Sequence, residues 1–257
     1  MKVVILAGGF GSRLSEETIV KPKPLVEIGD KPILWHIMKI YSHYGFNDFI
    51  ICLGYKGHMI KEWFANYFIY NSDLTIDLKT NKMEVHENNN EDWKVTLVDT
   101  GLYTQTGGRI KRIQKYIGNQ RFMMTYGDGV ANVDIKALIK YHESQGKIAT
   151  LTATIPEGRF GALQISKEGV VNYFGEKKDN LSNWVNGGFF VLEPKIFDYI
   201  KDDSSVFEKD VLEKLVEERQ LVAYKHSGFW KPMDKLSDKL KLEELWNSGN
   251  APWKIWQ

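Results

Sequence analysis

Short runs of apolar and β-branched residues recur along the chain, with helical patterns set between them. Residues 2–6 (KVVIL), 48–53 (DFIICL), 94–99 (KVTLVD), 121–128 (RFMMTYGD) and 148–154 (IATLTAT) carry little of the polar alternation of a half-exposed strand. They predict strands buried mostly on both faces. Residues 31–45, 56–68 and 134–146 place apolar side chains three and four apart, and the first and third end on Gly45 and Gly146. That spacing predicts amphipathic helices, two of them closed by a glycine. Strands alternating with helices predict a parallel α/β sheet.

From about residue 160 the pattern changes. Residues 161–166 (GALQIS), 169–176 (GVVNYFGE), 186–192 (NGGFFVL) and 221–226 (LVAYKH) are short and alternating, with a helix expected over 206–219 and an amphipathic one over 237–249. The expectation is an antiparallel extension that builds a pocket floor on one compact α/β domain. Residues 87–93 (ENNNEDW) predict a surface loop, and Trp63, Phe64 and Phe68 fit either a core or an interface.

Composition narrows the partners. The chain has 257 residues, 34 Lys and Arg against 33 Asp and Glu, and a net charge of +1. No global basic field exists to draw nucleic acid or a membrane surface. Cys52 is the sole cysteine and lies in the apolar run at 48–53, so a disulfide framework is excluded and a packed thiol in a reducing cytoplasm is expected. The N-terminal apolar run is shorter than the roughly 7–15 residues of a signal-peptide core, and no run nears the ~18 of a membrane span.

The chemistry concentrates where the first strand ends. Gly8, Gly9 and Gly11 fall within four positions, and Arg13, Lys21 and Lys23 follow. Glycines admit φ > 0 and leave backbone N–H groups uncovered, which makes an anion cradle. A guanidinium fork and two ammonium groups suit phosphate oxygens. The pattern G-x-x-x-x-G-K-[ST] fails, because Arg13 stands at the sixth position from Gly8 and no Gly-Lys pair follows there. The pattern G-x-G-x-x-G puts Leu14 at its third glycine, and residues 15–24 carry two prolines where a helix is needed. A polyphosphate cradle and a plain strand-to-loop turn remain, and three clustered cations favour the cradle.

Asp128 stands between Gly127 and Gly129 after an apolar strand, at the edge where open α/β sheets bind ligands. An oxygen ligand beside phosphates suits Mg²⁺; an Asp-Gly turn is the alternative. Val130 stands where an Asp-x-Asp pair would need its second acid, which weakens glycosyl transfer. Asp234 in 228–235 (GFWKPMDK) is a second isolated acid that the sequence alone does not bring to Asp128. His36, His43, His58, His86, His142 and His226 are scattered, and no nucleophile–base set stands out. That suits a nucleophile needing no base, such as a sugar phosphate whose second pKa is roughly 6.

The stretch LAGGFGSRL (6–14) followed by Pro22-Lys23, with TLVDTG, TGGR, TYGDGV, GRFGAL, NGGFFVL, GFWKPMD and APWK further on, resembles the sugar-1-phosphate nucleotidyltransferases. The resemblance spans essentially the whole chain and looks most like the members that use CTP. It implies a single Rossmann-like nucleotidyltransferase domain, with a mixed, mostly parallel sheet flanked by helices and an antiparallel sugar-binding extension. Residues 1–155 would form the nucleotide-binding half and 156–257 the sugar-phosphate half with the C-terminal helix. It further implies Mg²⁺ as cofactor, CTP and glucose 1-phosphate as partners, no nucleic acid or membrane partner, and a cytoplasmic homo-oligomer such as a hexamer. The product would be CDP-glucose for bacterial dideoxyhexose and O-antigen lipopolysaccharide synthesis.

Residue by residue, the resemblance makes Leu6, Ala7, Gly8, Gly9, Phe10, Gly11, Ser12 and Arg13 the holder of the nucleotide phosphates and part of the base pocket. Lys23 would neutralise charge on the α- and β-phosphates. Thr104, Gly108 and Arg109 fall where cytosine is read, although a helix N-terminus explains Gly-Gly-Arg nearly as well. Asp128 and Asp234 would hold the metal, with Arg13, Lys23 and Asp128 as the catalytic set. Glu176, Lys177, Asn186 and Gly187 would receive the sugar phosphate, Lys177 on its phosphate. Lys178 replaces the proline that relatives commonly carry after Glu-Lys, and Ser12 replaces the commoner Thr. A uracil or thymine base, a non-catalytic nucleotide-sugar sensor and an NAD-dependent oxidoreductase are the competing readings.

Overall fold

The computed structural model describes residues 1–88, 90–156, 162–166, 169–175 and 184–256. Seven strands make the central sheet: β1 (Val3–Ala7), β2 (Asp48–Leu53), β3 (Lys94–Asp99), β4 (Phe122–Tyr126), β5 (Ala149–Thr154), β6 (Val185–Leu192) and β7 (Leu221–His226). Their order across the sheet is β7-β5-β6-β4-β1-β2-β3. β1 runs parallel to β2 and β4, β2 to β3, and β5 to β7. β6 runs antiparallel between β4 and β5. The expected mixed, mostly parallel sheet is the one observed.

Why the inner strands carry so few charged residues follows from the two layers on the sheet; β3, at the edge, is only half-buried. Val3, Ile5 and Ala7 of β1 face one core, and Val4 and Leu6 face the other. The first core is covered by α1 (Ile33–His43), α2 (Gly57–Tyr70), α4 (Ile135–Gln145) and α6 (Leu236–Asn247). The second is covered by α3 (Thr106–Arg112) and α5 (Leu212–Glu217). With side chains alternating across the pleat, a strand buried on both faces takes apolar residues at most positions and small hydroxyls, such as Thr125, Thr150, Thr152 and Thr154, at the rest. α4 shows how local sequence bounds an element: the Asp134 carboxylate accepts from the Ala137 N–H at 2.9 Å, and Gly146 closes the helix at φ 58°.

Two segments expected in the antiparallel extension instead lie in the main sheet, as β6 and β7. β6 breaks register opposite Leu151 and Ala153, and its residues from Gly187 to Leu192 are all buried, so it is a core strand. The strands Ala162–Ile165 and Val171–Gly175 do form a separate antiparallel pair. The helix expected over 206–219 begins as a π turn, Phe207–Val211, before continuing as α5. The hairpin Ser72–Asp77 with Lys82–Asn88 was not legible: Ile76, Met83 and Val85 are exposed, so no buried face marks the pattern. Consequently the loop expected at 87–93 starts inside a strand. Trp63 and Phe64 pack on the first core, whereas Phe68 is exposed. Among the described residues no helix is long and apolar enough to cross a membrane.

The C-terminal segment is anchored by tryptophan around a buried histidine. His36 Nε2 lies 3.0 Å from the Ile28 carbonyl, and the Trp253 indole N–H points at Nδ1 from 3.4 Å. The rings of Trp35 and Trp246 stand 5.2 and 4.5 Å from the imidazole. Burial lowers the His36 pKa to about 4, so the ring is neutral, accepting at Nδ1 and donating at Nε2.

An unfolded histidine titrates near 6.5, so below that pH the proton favours the unfolded chain until the folded pKa near 4 is reached. His36 should therefore lose about 3 kcal/mol of stability as pH falls from 6.5 to 4. Thermal unfolding across that window should show a drop in Tm that is shallower in His36→Gln, which keeps a donor for Ile28. Equal slopes would contradict this assignment.

Candidate active site

Parallel strands β1 to β4 all end at one edge, where their loops converge. β1 runs into Gly8 and Gly9, then into a 3₁₀ turn at Ser12–Leu14. The glycines serve different ends. Gly11 sits at φ 66°, the left-handed region that disfavours a side chain. A Cβ on Gly8 would stand 2.2 Å from Arg109 Nη1, whereas one on Gly9 would meet nothing within 4 Å.

Arg109, on α3, is buried. Its Nη1 lies 3.0 Å from the Leu53 carbonyl, 2.8 Å from Thr100 Oγ1 and 2.7 Å from the Gly101 carbonyl. Its Nη2 lies 3.0 Å from the Gly8 carbonyl and 3.3 Å from that of Leu102. One guanidinium thereby ties the loops that follow β1, β2 and β3. Burial lowers its pKa below the ordinary arginine value, and these oxygens solvate the charge instead of water. Gly108 packs the other way: its N–H donates to the Ser205 carbonyl at 3.2 Å, and a Cβ there would sit 2.6 Å from Asp203 Cα. Thr104 and Arg109 line the cavity beside the glycine loop, and Gly108 does not.

Lys23 is the charged centre. It is buried in a 3₁₀ turn, Lys23–Leu25, between Pro22 and Pro24. Its Nζ lies 2.7 Å from Asp128 Oδ2 and 2.8 Å from Asp234 Oδ1, and Arg13 Nη1 lies 2.7 Å from Asp234 Oδ2. Burial works against the ammonium charge, but the charges and hydrogen bonds of Asp128 and Asp234 outweigh it and raise the pKa. Lys23 thus stays cationic.

A short strand pair brings the two acids together. Gly129–Ala131 runs antiparallel to Trp230–Pro232, and the Met233 N–H donates to the Asp128 carbonyl at 2.8 Å. The Asp238 carboxylate then accepts from the N–H groups of Asp234 at 3.1 Å and Lys235 at 3.0 Å, which fixes Asp234 at the start of α6. Lys21 faces elsewhere, pairing with Glu27 at 3.4 Å.

Two cavities meet here. One of about 440 Å³ is lined by Leu6 through Arg13, Lys23, Thr104, Arg109 and Asp128. A second, of about 290 Å³, is lined by Asn186, Gly187, Glu208 and Trp230, and shares Arg13, Tyr126 and Asp128 with the first. A chain with a polyphosphate site and an adjoining acceptor site needs this plan. Tyr126, Glu208 and Trp230 were missed in the sequence. Tyr126 lies in TYGDGV but reads there as a core strand residue, and Glu208, in no motif, reads as a solvated helix position. Glu176, Lys177 and Lys178 lie outside the described residues.

The donor set suits Mg²⁺. Asp128 and Asp234 aim carboxylate oxygens at one point, and that ion takes one or two carboxylates and completes its shell with phosphate oxygens and water. Among the described residues no group of three or more His, Cys, Asp or Glu gathers as a self-sufficient cage.

The buried Arg109 cannot yield freely to a methyl group, since five oxygens hold it. Gly8→Ala should therefore lose about 1–3 kcal/mol of stability, while Gly9→Ala should stay within about 0.5 kcal/mol. Chemical denaturation of both variants checks this, and similar losses in the two would count against the strut.

Known proteins resemble this chain in sequence and in fold. The sequence pattern described as nucleotidyl transferase matches residues 2–244. A glucose-1-phosphate cytidylyltransferase of Salmonella typhimurium is 58% identical, with 100% of each chain covered. The crystal structure of HddC from Yersinia pseudotuberculosis superposes with a TM-score of 0.76 at 27% identity, over 95% of this chain and 99% of that one. A UDP-glucose pyrophosphorylase complexed with UDP-glucose shares the fold, with a TM-score of 0.74 at 17% identity over 96% of this chain and 98% of that one. A family pattern matched over nearly the full length, and a relative of such identity across all of it, establish that this chain belongs to the nucleotidyl transferase family.

Proposed function

We propose that this chain joins CTP to α-D-glucose 1-phosphate, forming CDP-glucose and releasing pyrophosphate with Mg²⁺ as cofactor. The observation that carries this reading is the convergence of Lys23, Arg13, Asp128 and Asp234 where the two cavities meet. The 58% identical cytidylyltransferase supports the choice of base and sugar.

In this reading the glycine loop receives the triphosphate, and the acceptor's phosphate enters beside Asp128. A phosphate oxygen of the sugar phosphate attacks the α-phosphorus of CTP, the bond from that phosphorus to the bridging oxygen of the β-phosphate breaks, and pyrophosphate leaves. The nucleophile is already an anion, so no side chain need take a proton. Lys23 neutralises charge gathering on the α-phosphate, and Arg13, paired with Asp234 but with its side chain 69% exposed, turns its guanidinium to the outer phosphates. Mg²⁺ held by Asp128 and Asp234 would add charge neutralisation at the phosphate oxygens. Thr104 and Arg109 would face the base, and Glu176, Lys177, Asn186 and Gly187 the sugar phosphate. The reading also takes 1–155 and 156–257 as nucleotide and sugar halves of one domain in a cytoplasmic homo-oligomer, supplying dideoxyhexose synthesis for surface polysaccharide.

Incubation with Mg²⁺ and glucose 1-phosphate should release pyrophosphate with CTP in preference to UTP or dTTP. A preference for UTP or dTTP would move the base assignment, and no release with any nucleoside triphosphate would remove the activity. Lys23→Ala should lose ~2–4 kcal/mol of transition-state stabilisation, a 30- to 1,000-fold fall in kcat. Near-normal turnover in that variant would refute the role of Lys23.

A further inference from the structure

Glu208 belongs to none of the sequence motifs, yet it lines the smaller cavity and bonds two residues that line the larger. It sits on the π turn Phe207–Val211, a local irregularity frequent at functional sites. Its Oε1 accepts from the Tyr126 hydroxyl at 2.6 Å and its Oε2 from the Thr106 hydroxyl at 2.6 Å. Thr106 lines the larger cavity, and Tyr126 lines both.

The chain of hydrogen bonds has a direction. A carboxylate accepts and does not donate, so Tyr126 and Thr106 each point their only hydroxyl proton at Glu208. Thr106 Oγ1 in turn accepts from the Phe207 N–H at 2.9 Å, and Tyr126 Oη from the Asn186 amide at 3.3 Å. The Asn186 amide cannot turn over freely, because its Oδ1 accepts from the Gly188 N–H at 2.9 Å. Gly188 leaves room for the phenol ring, since a Cβ there would sit 2.6 Å from Tyr126 Cδ2. Burial and the neighbouring Glu208 charge raise the Tyr126 pKa well above 10, so the phenol keeps its proton. What Tyr126 Oη offers the smaller cavity is an accepting lone pair, beside an asparagine amide and a backbone glycine.

We infer that Glu208 is a positioning residue for the acceptor substrate: by drawing both hydroxyl protons to itself it makes Tyr126 Oη a receiver for a sugar hydroxyl. The inference rests on the proposed function, in which a sugar phosphate occupies the smaller cavity. A site polarised this way takes a neutral polyol hydroxyl and disfavours a phosphate oxygen, which orients the sugar with its phosphate toward Asp128 and Arg13.

Glu208→Gln tests it with little change of shape, because the amide can donate and forces one hydroxyl to turn. The KM for glucose 1-phosphate should rise about tenfold, the scale of one lost hydrogen bond, while the KM for CTP stays within about twofold. Tyr126→Phe should give the same split, and the double variant should be no worse than Tyr126→Phe alone, since both act through one bond. Equal rises in both KM values, an unchanged KM for the sugar phosphate, or additive losses would overturn the role of Glu208 while wild-type turnover upholds the activity. No pyrophosphate release by the wild-type protein would instead overturn the proposed function and this inference with it.

Discussion

A buried ammonium between two carboxylates is the interaction on which the site depends. Lys23 reaches Asp128 and Asp234 across 105 and 211 residues of sequence, so one side chain connects a sheet-edge loop, a central-strand loop and the approach to the C-terminal helix. Removing charges from water is costly, and here the arrangement closes because each acid answers a cation: Asp128 answers Lys23, and Asp234 answers both Lys23 and Arg13. The same balance makes the site responsive. In the proposed reaction, a phosphate that draws Lys23 or Arg13 away would free carboxylate oxygens for a divalent ion, joining substrate and metal in one electrostatic exchange.

The scaffold beneath this cluster is built by a second buried cation with a different task. Arg109 holds carbonyls at the ends of three parallel strands, and in a trans peptide a carbonyl held inward turns the following N–H outward. The Gly8 carbonyl points toward Arg109, so the Gly9 N–H points away from it. Glycine at position 8 is thus a packing requirement, and glycine at 11 a conformational one.

Much of this was legible in the sequence, for stated reasons. Two-sided burial writes itself as runs nearly free of charged residues, so β1, β2, β4 and β5 could be read directly with α1, α2 and α4, whereas β3, read the same way, is a half-buried edge strand. The first loop could be read too, because its glycines and cations are close in the chain. Asp234 was visible only as an isolated acid, since its meeting with Asp128 depends on a three-residue strand pair. β6 and β7 were assigned to an extension because alternation and short length look alike at a sheet edge and in a bulged core strand. Glu208 was invisible: its meaning comes from the π turn and from two hydroxyls on distant elements, neither of which leaves a spacing in the sequence. Gly108 reads as part of the pocket motif, yet its lack of a side chain is explained by the Asp203 backbone and the Thr104 methyl lying against it.

The central claim is that the nucleotide's α-phosphate takes Lys23 from its carboxylates. A crystal structure with Mg²⁺, glucose 1-phosphate and a non-hydrolysable CTP analogue measures this directly. Lys23 Nζ should lie within hydrogen-bond reach of an α-phosphate oxygen, with Asp128 and Asp234 turned to the metal. Lys23 still bridging both acids, with the phosphates bound away from the glycine loop, would contradict it.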